Sequence, residues 1–287
     1  MANIDFSMSS LAYAYGKPEV LAGFRSCPED FCVDEELPFT PDGDGDHALI
    51  RVRKRGCNTD WVAGLLLKLA GVRGQDVGYA GLKDRDAVAT QWFSVDLSRQ
   101  PEPDWHKLES DELKILEVHR HRRKLRRGVL RGNRFRLTLR NVEGNVGQVE
   151  PRLQKIMEAG VPNYFGEQRF GRGFRNLIEV EHLLKGKSGK KLGRHKKGLY
   201  YSAARSWIFN HVLSERINRQ CWDKAIAGDV MMLDGTASVF TLDEVDEEIR
   251  RRVQEMDIHP TGPLCGEGVE PVKGECAELE NAICDQY

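Results

Sequence analysis

Long apolar runs are missing from this chain of 287 residues, and no stretch approaches the roughly 18 apolar residues of a membrane-spanning helix. Met1–Ser10 has no basic stretch leading into an apolar block, so no secretory leader is expected there. The seven cysteines, at 27, 32, 57, 221, 265, 276 and 284, include no Cys-x-x-Cys pair. That absence removes the usual spacing of a structural zinc site, and it favours buried thiols in a reducing cytosol over disulfides. No repeat and no low-complexity tail is found, which excludes solenoid folds. The glycines of Gly166–Gly173 lack the strand-turn-helix setting of a dinucleotide fingerprint. What remains, with 40% hydrophobic and 30% charged residues, is a globular chain long enough for two domains.

One further absence is local. Arg120–Arg140 holds ten Lys or Arg residues and no acid, whereas from Thr241 onward acids outnumber bases thirteen to four. The net charge of -1 hides this asymmetry. Charge runs are usually solvated surface, but ten unopposed cations repel one another, and a phosphate backbone explains them better. The expected phosphate contacts are Arg122, Arg123, Lys124, Arg126, Arg127 and Arg131.

The chain is organised around Val77–Val95. An apolar start and an aromatic, β-branched end (Gln91–Val95) flank the glycine-led Gly81-Leu82-Lys83-Asp84-Arg85-Asp86, which reads as strand, functional loop, strand. Asp84 lies between Lys83 and Arg85, so its charged form is favoured if either cation folds back on it. A carboxylate so placed suits a nucleophile or an electrostatic stabiliser. A solvated turn is the alternative reading.

In Phe31-Cys32-Val33, Phe31 and Val33 share one face of a half-buried strand. His47–Lys54 alternates, with Ile50 and Val52 on one face and Arg51 and Arg53 on the other. Asn58-Thr59-Asp60 caps a helix over Trp61–Ala70, striped by Val62, Leu65, Leu66 and Leu69 and stopped by Gly71. Residues 96–110 read as a polar loop and Leu113–Val118 as a strand. The basic segment reads as a loop feeding one strand, with Phe135, Leu137 and Leu139 opposite Arg134, Arg136 and Arg140. Helices are expected over Val146–Ala159, from Ser202 onward, and near Leu242–Met256, with a mobile basic stretch at Lys185–Lys197.

Several segments together resemble the TruD family of tRNA pseudouridine synthases. They are Cys27-Pro28-Glu29-Asp30-Phe31, Gly56–Thr59 (GCNT), Ala80–Asp84 (AGLKD), KLRRGVLRGNRF within His121–Phe135, Val161–Gly171 (VPNYFGEQRFG), Ser202–Ser206 and the HPTGPLCGEG turn. They follow family order over nearly the whole chain. The resemblance implies an α+β fold, with a pseudouridine-synthase-like catalytic domain on a mostly antiparallel sheet over residues 1–159. An inserted, mixed but largely helical TRUD domain would occupy residues 160–287. It implies isomerisation of uridine, at position 13 of tRNA, in the cytoplasm, with no metal, no cofactor and no membrane. Carried over by position, Asp84 becomes the catalytic aspartate, Phe31 and Asn133 fall in the uracil pocket, Phe135 helps wall it, and Arg25 is the basic residue beside it. Family members continue past the point matching Tyr287, with strands that rejoin the catalytic sheet and bring a further aromatic. Two other classes stay open: a catalytically impaired RNA-binding protein of this family, and an interaction protein without an RNA role.

Overall fold

His47–Arg55 alternates as expected and becomes a strand paired on both sides. The computed structural model describes residues 6–186, 192–266 and 272–287. Two compact units are seen: Glu19–Val146, and Met1–Pro18 with Gly147–Tyr287 in their described residues. The expected boundary after residue 159 is therefore not where the packing divides; the first helix after Val146 belongs with the second unit.

The unit Glu19–Val146 contains β1 (Val20–Phe24), β2 (Phe31–Glu36), β3 (His47–Arg55), α1 (Thr59–Ala70), β4 (Val77–Tyr79), β5 (Val88–Asp96), β6 (Leu113–His121), β7 (Gly132–Leu137) and β8 (Leu139–Gly144). Its main sheet runs β6-β3-β5-β2-β7, with β4 also on β5, and all pairs are antiparallel except β2 with β5. The strand expected over Gln91–Val95 begins three residues earlier, at Val88, and is buried from there to Val95 because both faces of the sheet are covered. On one face Ile50, Val52, Phe93 and Val95 pack against Val62 and Leu66 of α1. On the other, Leu49 and Trp92 pack against Leu125.

Several expectations need correcting. Asn58 stands at the N-cap of α1, but its side chain makes no cap bond. The neighbouring residues are engaged elsewhere: Tyr79 Oη donates to Asp60 (2.7 Å), and Thr59 works on the Asp84 loop. Gly71 does close the helix, in the left-handed conformation (φ 65°) that a residue without Cβ adopts freely. The polar stretch 96–110 contains a short helical turn, Trp105–Leu108, because Trp105 buries its ring in the α1-side core. The basic strand is two strands: the chain breaks at Thr138, whose N–H donates to Asp30 O (2.9 Å), and β8 pairs with β1 in a separate two-stranded sheet.

The second unit contains α2 (Val149–Ala159), α3 (Arg175–Leu184), α4 (Arg194–Asn218), β9 (Val230–Leu233), β10 (Val239–Thr241), α5 (Glu247–Gln254), β11 (Ile258–Pro260) and α6 (Gly274–Cys284). Three strands form a small antiparallel sheet, β10-β9-β11. The helix expected from Ser202 starts two turns earlier, at Arg194, and α5 is shorter than expected because Asp246 caps it by accepting from Ile249 N (2.8 Å). Of the stretch expected to be mobile, residues 187–191 lie outside the described residues, and Arg194–Lys197 forms the first turn of α4. The core gathers Phe170, Leu177, Ala203 and Trp207, with Phe6 and Phe174 beside them. Arg216 and Asp229 form a buried ion pair at 2.7 Å. Cys32, Cys57 and Cys276 are buried, so the expectation of buried thiols holds for those three.

Candidate active site

Strand register decides what shares a face with Asp84. Directly opposed residues of an antiparallel pair point the same way, so Phe31, Val33 and Glu35 of β2 lie with Leu137, Phe135 and Asn133 of β7. Through Val33 opposite Ala89, and Ala89 opposite Lys54, this is also the face on which α1 packs. The β7 end of that face is open: Asn133 and Phe135 are exposed, and the loop 80–87 reaches the same face beside Phe31.

The loop is held at many points. Gln91 Nε2 donates to Gly81 O (2.7 Å), and Thr59 Oγ1 accepts from Lys83 N (3.0 Å) while donating to Gln91 Oε1 (3.0 Å). Gly128 N donates to Ala80 O (2.8 Å), tying the basic segment to the loop. Lys83 turns inward and pairs with fully buried Glu35 at 2.6 Å. Glu35 is fixed in turn by Trp92 N (2.8 Å). Arg85 donates to Gly56 O (3.3 Å). Neither neighbour in sequence therefore folds back on the Asp84 carboxylate, so the condition set by the Lys-Asp-Arg order is not met.

Arg25 supplies the cation instead. Its guanidinium lies 2.9 Å from Asp84 Oδ2 and 3.8 Å from the centre of the Phe31 ring. Phe31 meets Phe24 edge-on (6.0 Å) and Phe135 at a tilt (5.8 Å). Arg25 has a positive φ of 58°, uncommon for a residue with a Cβ. The turn after it is secured by Asp30, whose carboxylate accepts from Ser26 N (3.1 Å) and Cys27 N (3.2 Å). The Arg140 guanidinium on Asp30 holds that carboxyl well below the usual range, at about 2.

Asp84, Arg25, Phe31 and Phe135 are thus brought together, with Asn133 two residues from Phe135 on the same strand face. Asn133 makes no side-chain hydrogen bond among the described residues. The arrangement is a half-exposed carboxylate beside aromatic edges and an unengaged amide, suited to a flat polar ring.

The six cations singled out in the basic segment are not alike. Arg122 is held by Asp44 through two bonds (3.0 and 2.9 Å), and Lys124 donates to Gln75 O. Arg120, Arg134 and Arg140 have carboxylate partners too, in Glu102, Glu36 and Asp30. Arg123, Arg126, Arg127 and Arg131 are exposed and have no carboxylate within ion-pair distance among the described residues. Leu125, in their midst, is buried, and its N–H donates to Ser94 Oγ (2.9 Å). Gly78 permits this approach, since a Cβ there would stand 2.6 Å from Leu125 O.

Sequence reasoning passed over Lys54, Glu35, Thr59 and Gln91. Alternation carried a signal for two of them, because Lys54 follows Ala48, Ile50 and Val52 on the core face, and Glu35 follows Phe31 and Val33. Lys54 is fully buried, and burial pushes its ammonium below the ordinary lysine range.

The α+β fold with its largely antiparallel sheet has a counterpart among solved structures. A crystal structure assigned as tRNA pseudouridine synthase D (TruD) of Methanosarcina mazei superposes with a TM-score of 0.75 at 21% identity, over 96% of this chain and 80% of that one. The family model described as tRNA pseudouridine synthase D (TruD) matches residues 7–190 and 185–287. Curated proteins named tRNA pseudouridine synthase D are 46% identical in Hydrogenovibrio crunogenus, over 98% of this chain and 81% of that protein, and 48% identical in Methylococcus capsulatus, over 96% and 78%. The chain belongs to the TruD family of tRNA pseudouridine synthases. Among the described residues no helix is long and apolar enough to cross a membrane.

Proposed function

We propose that this chain isomerises uridine to pseudouridine in tRNA, at position 13, with Asp84 as the covalent catalyst. The observation that carries the reading is the Asp84 carboxylate, half-exposed, fixed at 2.9 Å by an Arg25 that itself lies 3.8 Å over Phe31. The uridine would leave the RNA stack, which costs a few kcal/mol, and its ring would be received by Phe31 and Phe135. Asn133 would bond its polar edge. The carboxylate attacks, at C1′ of the ribose or C6 of the base, and the N-glycosidic bond breaks while the base stays held. After the base turns, the ribose bonds to C5, C5 loses its proton, N1 gains one, and Asp84 is released as a carboxylate. No atom is gained or lost, so the isomerisation requires no external reductant or group donor.

In this reading Glu19–Val146 is the catalytic domain, and the unit containing Gly147–Tyr287 is the inserted TRUD domain. Arg123, Arg126, Arg127 and Arg131 take tRNA phosphates directly, with Arg122 and Lys124 beside them. The cytoplasm supplies the tRNA and reducing conditions suited to the buried thiols of Cys32, Cys57 and Cys276.

The test is Asp84→Asn, which keeps shape and removes charge and nucleophile. It is expected to bind tRNA like the parent and to form no pseudouridine detectable by mass spectrometry, whereas Asp86→Asn retains turnover within a few-fold. Turnover by Asp84→Asn, with deamidation excluded by peptide mass, would remove Asp84 from the chemistry.

A further inference from the structure

Lys54 is fully buried, yet among the described residues its ammonium has no carboxylate within ion-pair distance. It donates to two main-chain carbonyls, Cys57 O at 2.6 Å and Asp84 O at 3.0 Å. Removing an ammonium from water is among the costlier burials in a protein, and two carbonyl acceptors compensate it only in part. An apolar side chain of the same length would fill the space without that cost. What it would not do is hold the Asp84 main chain. The other bonds to the loop named above act on Ala80 O, Gly81 O, Lys83 N and the Lys83, Arg85 and Asp84 side chains; the bond from Lys54 is made to the Asp84 main chain.

We propose that Lys54 is a positioning residue for Asp84, fixing its backbone carbonyl so that the carboxylate points at the pocket and standing behind it as a second positive charge. This rests on the reading of Asp84 as nucleophile. The titratable groups facing Lys54 are Asp84 and Lys83 of the loop, Glu35 of β2, and the Cys57 thiol on the turn into α1. With Arg25 on the Asp84 carboxylate, three cations meet two carboxylates, so loss of one proton from Lys54 removes the excess positive charge behind the nucleophile.

The consequence is a dependence on pH with a definite sign. The protonated form of Lys54 does the holding, and burial places its proton loss below the ordinary lysine range. Turnover at saturating tRNA should therefore fall as pH rises through that depressed value, while melting curves show the protein still folded.

The experiment compares the parent, Lys54→Met and Lys54→Arg by single-turnover kinetics, tRNA binding and hydrogen exchange over residues 80–87. Lys54→Met is expected to lower kcat about 10- to 100-fold, as for loss of a charged hydrogen-bond donor, with tRNA affinity within two-fold. Its loop amides should exchange faster. Lys54→Arg, charged at every accessible pH, should recover part of the rate and lose the alkaline limb. A folded Lys54→Met with parental kcat and parental loop protection overturns the proposal. Should Lys54→Met fail to fold, the parent decides: kcat flat to pH 10.5, the ordinary lysine value, would overturn it equally. A parent that forms no pseudouridine contradicts the reading of function instead, and loop exchange in Lys54→Met still tests the positioning.

Discussion

Lys83 and Asp84 are neighbours in the chain and end in opposite surroundings. The Lys83 ammonium is almost out of water, against a Glu35 that is wholly so; the Asp84 carboxylate stays about half exposed, against an Arg25 that is also partly wet. One pair is a clamp beneath the loop, and the other, in the proposed reading, is the loop's working surface. The two side chains leave the loop towards different partners, so neighbours in sequence are separated in surroundings. The difference shows why Asp84 can be both accessible and fixed. Its position is set by buried bonds on the back of the loop, leaving the carboxylate itself open.

The largest expected effect comes from breaking the clamp. Glu35→Gln or Lys83→Met leaves a charge buried without its partner, and each should lower unfolding free energy by about 3–5 kcal/mol. The double variant should cost less than the sum of the two, because it leaves no orphan charge. Urea unfolding of the three proteins measures this. Additive losses would mean the two residues stabilise the fold separately and that the clamp does not exist.

Breaking the other pair should do the reverse. Arg25→Ala removes a partly solvated ion pair, and stability should change by less than about 1 kcal/mol. Turnover should nonetheless fall at least about ten-fold, since the cation beside the proposed nucleophile and the ring contact to Phe31 go together. A large stability loss with normal turnover would reverse the roles assigned to the two pairs.

The smallest effect carries the same contrast into the basic segment. Each phosphate contact contributes a slope of roughly 0.9 or less in log affinity against log salt. Replacing exposed Arg126 by Gln should flatten the slope by about that amount, whereas replacing Arg122, already held by Asp44, should change it less. Equal changes would show that Asp44 gives up Arg122 when tRNA binds. In that case the carboxylate partner is a placeholder and Arg122 counts towards binding with the unpaired cations.

Much of this was legible from the order of residues. Alternation in His47–Arg55, the helical stripe of α1 with its Gly71 stop, and a glycine-led loop carrying Asp84 are local patterns, imposed by the geometry of strand, helix and turn. The motifs that carry the family resemblance are local too. At the site and in the basic segment, what the sequence did not show had one cause: each case concerned partners distant in sequence. Ten cations without an acid nearby in the chain look mutually repelling, yet Asp44, Glu102, Glu36 and Asp30 arrive from elsewhere to meet four of them. Thr59 reads as part of a helix cap, and the fold uses it to hold Lys83 N. Asp84 reads as flanked by its own cations, and the cation that reaches it is 59 residues away. Sequence alone thus determined the candidates for chemistry and, for Asp84 and Phe31, the kind of element each lies on, because hydrophobic period and turn propensity act over a few residues. Pairing of charges and carbonyls across β2, β3, β5 and β7 was decided only by the tertiary structure, because strand register and burial set which polar groups come within 3 Å and which remain in water.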